Sequence, residues 1–310
     1  MKCPECQAEN LEGAEFCRHC GAKLEKACPN CGATNLARYR FCGKCGHNLV
    51  IAPQPIPTVA APEPMPTARD EKKMRPRVPT GIEGFDSLLS GGLQQNKVFL
   101  VSGEAGTGKT IFCMQYVLAG VARGENAVYV SIDEKPSHLM EDAESLGWDL
   151  KKYVDEKRIT LLDVTPYFTD VRAGKEKAID VRTVVTDLTK QIQRIKAQRL
   201  VIDPIAPLIF GQGSTAQVRE YIRSLIFSIE DNLQCTTLVT SGIPSGTSKL
   251  SQYEVEEFVV SGIIVLSVSS LQARRVRTLY IRKMRGTPTD LNDHVFEILP
   301  ERGIVVREAA

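Results

Sequence analysis

The chain has 310 residues, 43% hydrophobic and 25% charged, with a formal net charge of +2, enough for one large α/β domain with small appendages. No apolar run reaches the length of a membrane span and the start Met1-Lys2-Cys3-Pro4 has no apolar signal region, so a cytoplasmic location is expected. Charge is spread as +2 over residues 1–50, +2 over 51–80 and −2 over 81–310, which is not the strongly basic footprint of a dedicated nucleic-acid binder.

Eight of the ten cysteines fall in the first 45 residues: Cys3, Cys6, Cys17 and Cys20, then Cys28, Cys31, Cys42 and Cys45. Each of the second four lies 25 positions after its counterpart. The flanks repeat as well: Cys3-Pro4 with Cys28-Pro29, Phe16-Cys17 with Phe41-Cys42, Cys20-Gly21 with Cys45-Gly46. Residues 1–50 are therefore a tandem duplication. The C-x2-C spacing points two sulfurs at one metal, and two such knuckles complete a tetrahedral four-cysteine site with no open position, so two structural Zn²⁺ ions are expected. A unit this short buries too little to fold alone; zinc supplies the missing stability, roughly 10–16 kcal/mol per site in model peptides. His19 and His47 are expected at the surface, since four sulfurs saturate each site. The module resembles tandem zinc ribbons, which implies an adaptor-like role. Loaded with two Zn²⁺ on eight thiolates, its charge falls from +2 to about −2. That favours docking of a protein partner over a phosphate backbone.

Residues 51–79 are dominated by proline, as in Pro53-Gln54-Pro55-Ile56-Pro57 and Pro62-Glu63-Pro64-Met65-Pro66. Proline lacks an N–H and fixes φ, so the segment is expected as a semi-rigid linker reaching at most about 90 Å. Its basic cluster, Arg69, Lys72, Lys73, Arg75 and Arg77, is expected as a solvated tether rather than a nucleic-acid contact.

From Thr80 onward strand-like runs alternate with helical ones. Strands are expected near 97–102, 127–133, 159–164, 199–203 and 236–241, and helices near 109–122, 136–146, 180–198 and 214–233. This predicts an α/β fold with a mainly parallel sheet and helices on both faces. Later strands near 259–268, 276–284 and 295–306 are expected to extend it antiparallel.

Between the first strand and helix lies Gly103-Glu104-Ala105-Gly106-Thr107-Gly108-Lys109-Thr110, the P-loop pattern G-x-x-x-x-G-K-[ST] in its required context. Its glycines let backbone N–H groups face phosphate oxygens at the positive end of the following helix. Lys109 is placed to reach the β- and γ-phosphates and Thr110 to ligate Mg²⁺. The pattern points to a nucleoside triphosphate. The strand at 127–133 ends in Asp133-Glu134, candidates to activate or orient the attacking water. Arg199-Leu200-Val201-Ile202-Asp203 has the form of a Walker B strand, whose terminal Asp203 would hold Mg²⁺. Cys113 and Cys235 are expected as buried small apolar residues.

Residues from about Val78 to Val306 resemble the KaiC family within the RecA-like ATPases. The matching stretches are Thr80-Gly81-Ile82-Glu83-Gly84-Phe85-Asp86, Gly91-Gly92-Leu93, Ser145-Leu146-Gly147-Trp148-Asp149-Leu150 and Val255-Glu256-Glu257-Phe258-Val259. Arg274-Arg275-Val276-Arg277-Thr278-Leu279, Lys283-Met284-Arg285-Gly286-Thr287 and His294-Val295-Phe296-Glu297-Ile298 complete the set in the family's order. The resemblance implies a RecA-like core over residues 80–310, ATP with Mg²⁺, and assembly into a homo-oligomeric ring, often a hexamer. It implies that the paired acids serve hydrolysis, with Asp133 standing where the family usually has a second glutamate. It also implies that Lys283 and Arg285 act on the γ-phosphate of a neighbouring subunit. Their i, i+2 spacing places both on one face of a strand.

The leading expectation is an oligomeric ATPase that couples nucleotide state to a partner held by the ribbons. Two alternatives stand beside it. One is a DNA-repair ATPase binding single-stranded DNA, as in bacterial RadA, although that protein's Lys-Asn-Arg-Phe-Gly motif and protease-like domain are missing here. The other is an autokinase acting on Ser245, Thr247, Ser248 or Ser251.

Overall fold

The computed structural model describes residues 2–49 except 4, 5, 12, 13, 15, 23, 37 and 38, and residues 76–307 except 165–179, 210–213, 245, 246, 248, 254, 255, 272 and 273. Of the linker expected over 51–79, residues 51–75, with Arg69, Lys72, Lys73 and Arg75, lie outside the described residues. Arg77–Val78 instead form a short strand, and Arg77, expected in a solvated tether, donates to Thr287 Oγ1 at 2.7 Å and to the Gly92 carbonyl at 3.3 Å. The chain divides into two compact units, Met1–Lys72 and Lys73–Ala310.

In the first unit, strands β1 (Glu25–Ala27) and β2 (Thr34–Leu36) pair antiparallel. Its cores are two small clusters, Cys3, Cys17 and Leu24 in one and Cys28, Cys42 and Leu49 in the other. Neither is large enough to hold a fold by apolar burial, in keeping with a metal-dependent module.

The second unit runs β3 (Arg77–Val78), α1 (Phe85–Leu88), β4 (Leu93–Gln94), β5 (Val98–Gly103), α2 (Lys109–Ala122), β6 (Ala127–Ser131), α3 (Pro136–Ser145), α4 (Leu150–Asp155) and β7 (Ile159–Asp163). It continues with α5 (Val181–Ile195), β8 (Arg199–Asp203), α6 (Thr215–Asn232), β9 (Thr236–Gly242), α7 (Glu256–Val259), β10 (Gly262–Leu271), β11 (Arg274–Met284), β12 (His294–Leu299) and β13 (Gly303–Val306). Helix starts follow local chemistry. Asp180 accepts from the Thr183 N–H at 3.0 Å and Asp149 from the Lys152 N–H at 3.0 Å. Ser214 and Gln217 form a capping box.

Nine strands make one sheet in the order β13-β12-β11-β10-β5-β9-β8-β6-β7. Side-chain alternation sorts its core into two layers. Val98, Leu100, Val128, Val130, Leu200 and Ile202 face α5 and α6. Phe99, Val101, Tyr129, Val201 and Leu238 face α2 and α3. The expected α/β sheet with helices on both faces is the fold observed, and Cys113 and Cys235 are buried as expected.

After β9, three details differ from expectation. β10 pairs parallel to β5, whereas only β11, β12 and β13 add antiparallel. The reason is the connection from β9: residues 243–261 include α7 and are long enough for a crossover back to the start of the sheet. The strand there begins at Gly262, because Glu256–Val259 is helical. The run near 295–306 is two strands, broken by a turn in which Glu301 and Gly303 have φ of 63° and 70°. Among the described residues, no helix is long and apolar enough to cross a membrane.

Candidate nucleotide site and zinc centres

Parallel pairing sets the C-terminal ends of β5, β9, β8 and β6 side by side on one edge of the sheet. The P-loop turns there. Gly103 closes β5 so tightly that a Cβ would stand 2.4 Å from the Leu266 carbonyl oxygen and 2.7 Å from Thr107 Oγ1. Gly108, with φ of 105°, is the left-handed N-cap of α2, a conformation that excludes most side chains. Thr107 is buried and donates to the Glu104 carbonyl at 2.9 Å. Lys109 folds back on the loop, its Nζ 2.8 Å from the carbonyls of both Gly103 and Glu104. Burial draws its pKa below the ordinary lysine value, while the charge of Asp203 opposes that shift.

Asp203 is the hub. Its Oδ2 accepts from Thr110 Oγ1 at 2.9 Å and from Tyr129 Oη at 2.6 Å; its Oδ1 accepts from Thr240 Oγ1 at 2.5 Å. Thr110 and Asp203, predicted to share Mg²⁺, are thus in contact, and their hard oxygen donors suit that ion. Tyr129 and Thr240 were not foreseen. They come from β6 and β9, and only the sheet order, with β9 between β5 and β8, aims them at the β8 carboxylate.

Asp133 and Glu134 lie past the end of β6, which stops at Ser131. The strand expected to reach residue 133 therefore ends early, and alternation along a strand does not govern where these two point. The main chain turns instead, with Ser131 Oγ donating to the Glu134 carbonyl at 2.6 Å and the Ile132 N–H to the Asp203 carbonyl at 3.0 Å. Burial and the charge of Asp203 raise the Asp133 pKa. Burial, Asp142 and Asp203 raise that of Glu134, with His138 opposing.

Lys283 and Arg285 sit on the opposite edge. Lys283 pairs with Ile263 and Ile263 with Leu100, about 10 Å along the strands from Gly103. Lys283 Nζ donates to the carbonyls of Val260 at 2.9 Å and Glu257 at 3.0 Å, and Arg285 donates to that of Phe258 at 3.2 Å. Strand β11 ends at Met284, so Arg285 lies one residue beyond the expected shared strand face. Both cations nonetheless converge on the C-terminal carbonyls of α7, where the helix dipole favours positive charge. Burial, then Arg285, lowers the Lys283 pKa, and Glu257 opposes.

In the first unit the eight predicted cysteines form two groups, each with its four sulfurs within 4.8 Å of one another. The pairs Cys3–Cys20, Cys6–Cys17 and Cys28–Cys45 are 3.6 Å apart and Cys31–Cys42 3.7 Å. Tetrahedral Zn–S bonds of about 2.3 Å require sulfurs about 3.8 Å apart, so the donor set fits zinc.

The family model described as "ATPase: KaiC" matches residues 78–310, and that described as "Double zinc ribbon" matches residues 3–46. The chain belongs to the KaiC family of ATPases. A relative from Thermotoga maritima, described as a UPF0273 protein, is 34% identical over 241 residues, covering 75% of this chain and 96% of the relative. The circadian clock protein KaiC3 of Synechocystis sp. is 30% identical over 230 residues. The match covers 74% of this chain but only 45% of that clock protein. Among solved structures, a KaiC-like protein of Pyrococcus horikoshii superposes with a TM-score of 0.65 at 33% identity, over 76% of this chain and 100% of that one.

Within this KaiC-type unit the Ser and Thr residues singled out as phosphate acceptors are unevenly placed. Ser245 and Ser248 lie outside the described residues. Thr247 is exposed, and Ser251 is fully buried and donates to Glu256 Oε2 at 2.8 Å.

Proposed function

We propose that this KaiC-family chain is a Mg²⁺-dependent, ring-forming ATPase that couples its nucleotide state to a protein partner docked on the zinc ribbons. The observation that carries the reading is the junction of Thr110 with Asp203 beside the P-loop lysine. Backbone N–H groups of Gly103 to Thr110 hold the phosphates. Lys109 exchanges its two main-chain carbonyls for β- and γ-phosphate oxygens. Thr110 and Asp203 hold Mg²⁺, which when bound offsets charge on the phosphates. Asp133 and Glu134, whose raised pKa values make each carboxylate a stronger base, are suited to take a proton from attacking water.

Lys283 and Arg285 complete a neighbour's site rather than their own. Their place on the sheet edge opposite the P-loop supports this, and it makes the catalytic unit an interface of a homo-oligomer, by family resemblance a hexamer. The ribbons supply the partner surface. Phe16 and Phe41, equivalent in the two repeats, are 56% and 60% exposed, so each ribbon offers a partner an uncovered aromatic ring.

Phosphate release by the full chain and by Lys109→Ala tests the core of the proposal. Turnover that disappears in the variant is expected; a wild-type chain that binds ATP but never releases phosphate would sink it. Docking is tested by recovering bound protein with ATP and with ADP. Capture must depend on nucleotide and be lost in Phe16→Ser/Phe41→Ser.

Single-stranded DNA binding is a second reading, favoured by the exposed Arg274, Arg275 and Arg277 of β11. DNA-stimulated turnover that fades with added salt would support it.

A further inference from the structure

Asn10 and Asn35 occupy equivalent positions in the two repeats, 25 residues apart, and each is only 8% exposed. A buried primary amide is costly unless it is hydrogen-bonded. Here both are bonded in the same way. Asn10 Nδ2 donates to the Ala8 carbonyl at 2.9 Å and to Cys17 Sγ at 3.4 Å, while its Oδ1 accepts from the Arg18 N–H at 2.8 Å. Asn35 Nδ2 donates to the Ala33 carbonyl at 2.7 Å and to Cys42 Sγ at 3.5 Å, and its Oδ1 accepts from the Gly43 N–H at 2.9 Å. One side chain thus ties the end of the first knuckle to the start of the second. It also aims an N–H at one sulfur of the four. A second donor meets each of these sulfurs, the His19 N–H on Cys17 and the Lys44 N–H on Cys42, both at 3.4 Å.

We propose that Asn10 and Asn35 are positioning residues of two zinc centres, each setting the place and electron-donor strength of one thiolate ligand, Cys17 or Cys42, through an N–H···S bond. A metal-bound thiolate carries negative charge that four sulfurs concentrate around one ion. An N–H directed at the sulfur draws off part of that charge and fixes the direction of its lone pair. The repetition of the full bonding pattern in both ribbons separates this from a chance contact. Packing alone would be served by an apolar residue of similar size.

The proposal rests on zinc occupying the clusters, so the wild-type full chain is measured first. Fewer than two zinc ions per purified chain overturns that reading rather than this one. Asn10→Asp keeps the acceptor for the Arg18 N–H but turns an oxygen toward Cys17. Asn10→Ala removes the donor without adding charge, and is the variant to use if the aspartate prevents metal uptake. In competition with a chromogenic chelator, one of the two zinc ions should be held about 10–100-fold more weakly, and the other unchanged. In the Co²⁺-loaded chain, the sulfur-to-cobalt charge-transfer band of the altered ribbon should move to lower energy. Asn35→Ala should reproduce both changes in the second ribbon. Wild-type zinc retention overturns the proposal. So does weaker retention with an unmoved band, since loss of a purely structural clamp would leave the sulfur's donor strength as it was.

Discussion

Arg285→Ala separates the role of this side chain in folding from its role in turnover. Its contact with the Phe258 carbonyl is made from an exposed position, so its loss should cost the fold well under about 1 kcal/mol. An arginine on a neighbour's γ-phosphate is worth far more, about 10³–10⁵-fold in turnover, or about 4–7 kcal/mol at 1.36 kcal/mol per decade. The variant should therefore melt like the wild type, bind a fluorescent ATP analogue with unchanged affinity, and release almost no phosphate. Geometry adds a sharper test. Lys109→Ala subunits have a defective P-loop but an intact Arg285; Arg285→Ala subunits have the reverse.

When the two are mixed in equal amounts and allowed to reassemble, half of the subunits carry a good P-loop, and half of those stand beside an intact arginine. Turnover should recover to about a quarter of the wild-type rate, from two preparations that are each inactive. Lys283 offers an internal check. Removing the neighbouring guanidinium relieves one of the two influences that lower its pKa, so Lys283 should hold its charge to higher pH in the variant. Wild-type turnover by Arg285→Ala, or co-assembled mixtures that stay inactive, would refute the assignment in trans.

Three further outcomes follow from the geometry. Gly103→Ala forces a methyl group against the Leu266 carbonyl and Thr107 Oγ1, and should lower stability by about 1–3 kcal/mol in denaturant melts while weakening nucleotide binding. Glu134→Gln should lower turnover by about 10²–10⁴-fold if Glu134 is the base, yet raise the melting temperature of the nucleotide-free chain at pH 7. The sign follows from the raised pKa. Above the folded value the charged carboxylate is disfavoured by its surroundings, and that penalty fades as pH falls to the unfolded value, so the gain should vanish in the ordinary carboxylate range. Asp133→Asn should behave alike in stability. Finally, a strong chelator should remove two zinc ions and melt the ribbons, while calorimetry should show the transition of the ATPase unit unmoved, since each unit has its own core.

The legibility of this chain depends on how far apart in sequence the interacting groups lie. The cysteine clusters and the P-loop are local: their spacing alone brings their atoms together, and the structure places them accordingly. Asp203 is 93 residues from Thr110, but a strand ending in an acid within an alternating α/β pattern leaves little choice of place. Tyr129 and Thr240 carried no such signal. A tyrosine in a buried strand and a threonine near a strand end are ordinary β residues, and their hydroxyls matter only once β6, β8 and β9 are known to be neighbours. Asn10 and Asn35 recurred with the repeat, but their partners depend on the fold of the knuckles, which spacing does not convey.

The parallel placement of β10 has the largest consequence for function. Three strands in succession suggested a simple antiparallel extension, whereas the crossover through α7 sends the chain back to the start of the sheet before β10 begins. β10 then ends on the P-loop edge, and β11, paired antiparallel with it, carries Lys283 and Arg285 to the far edge. Had β10 run antiparallel to β5, β11 would have ended on the P-loop edge, and the same two cations would have stood on the side of their own nucleotide site. In the ring proposed above, this strand direction is what turns the two cations toward a neighbour's phosphate rather than their own. That direction is set by the length and helix content of residues 243–261 rather than by the basic residues themselves.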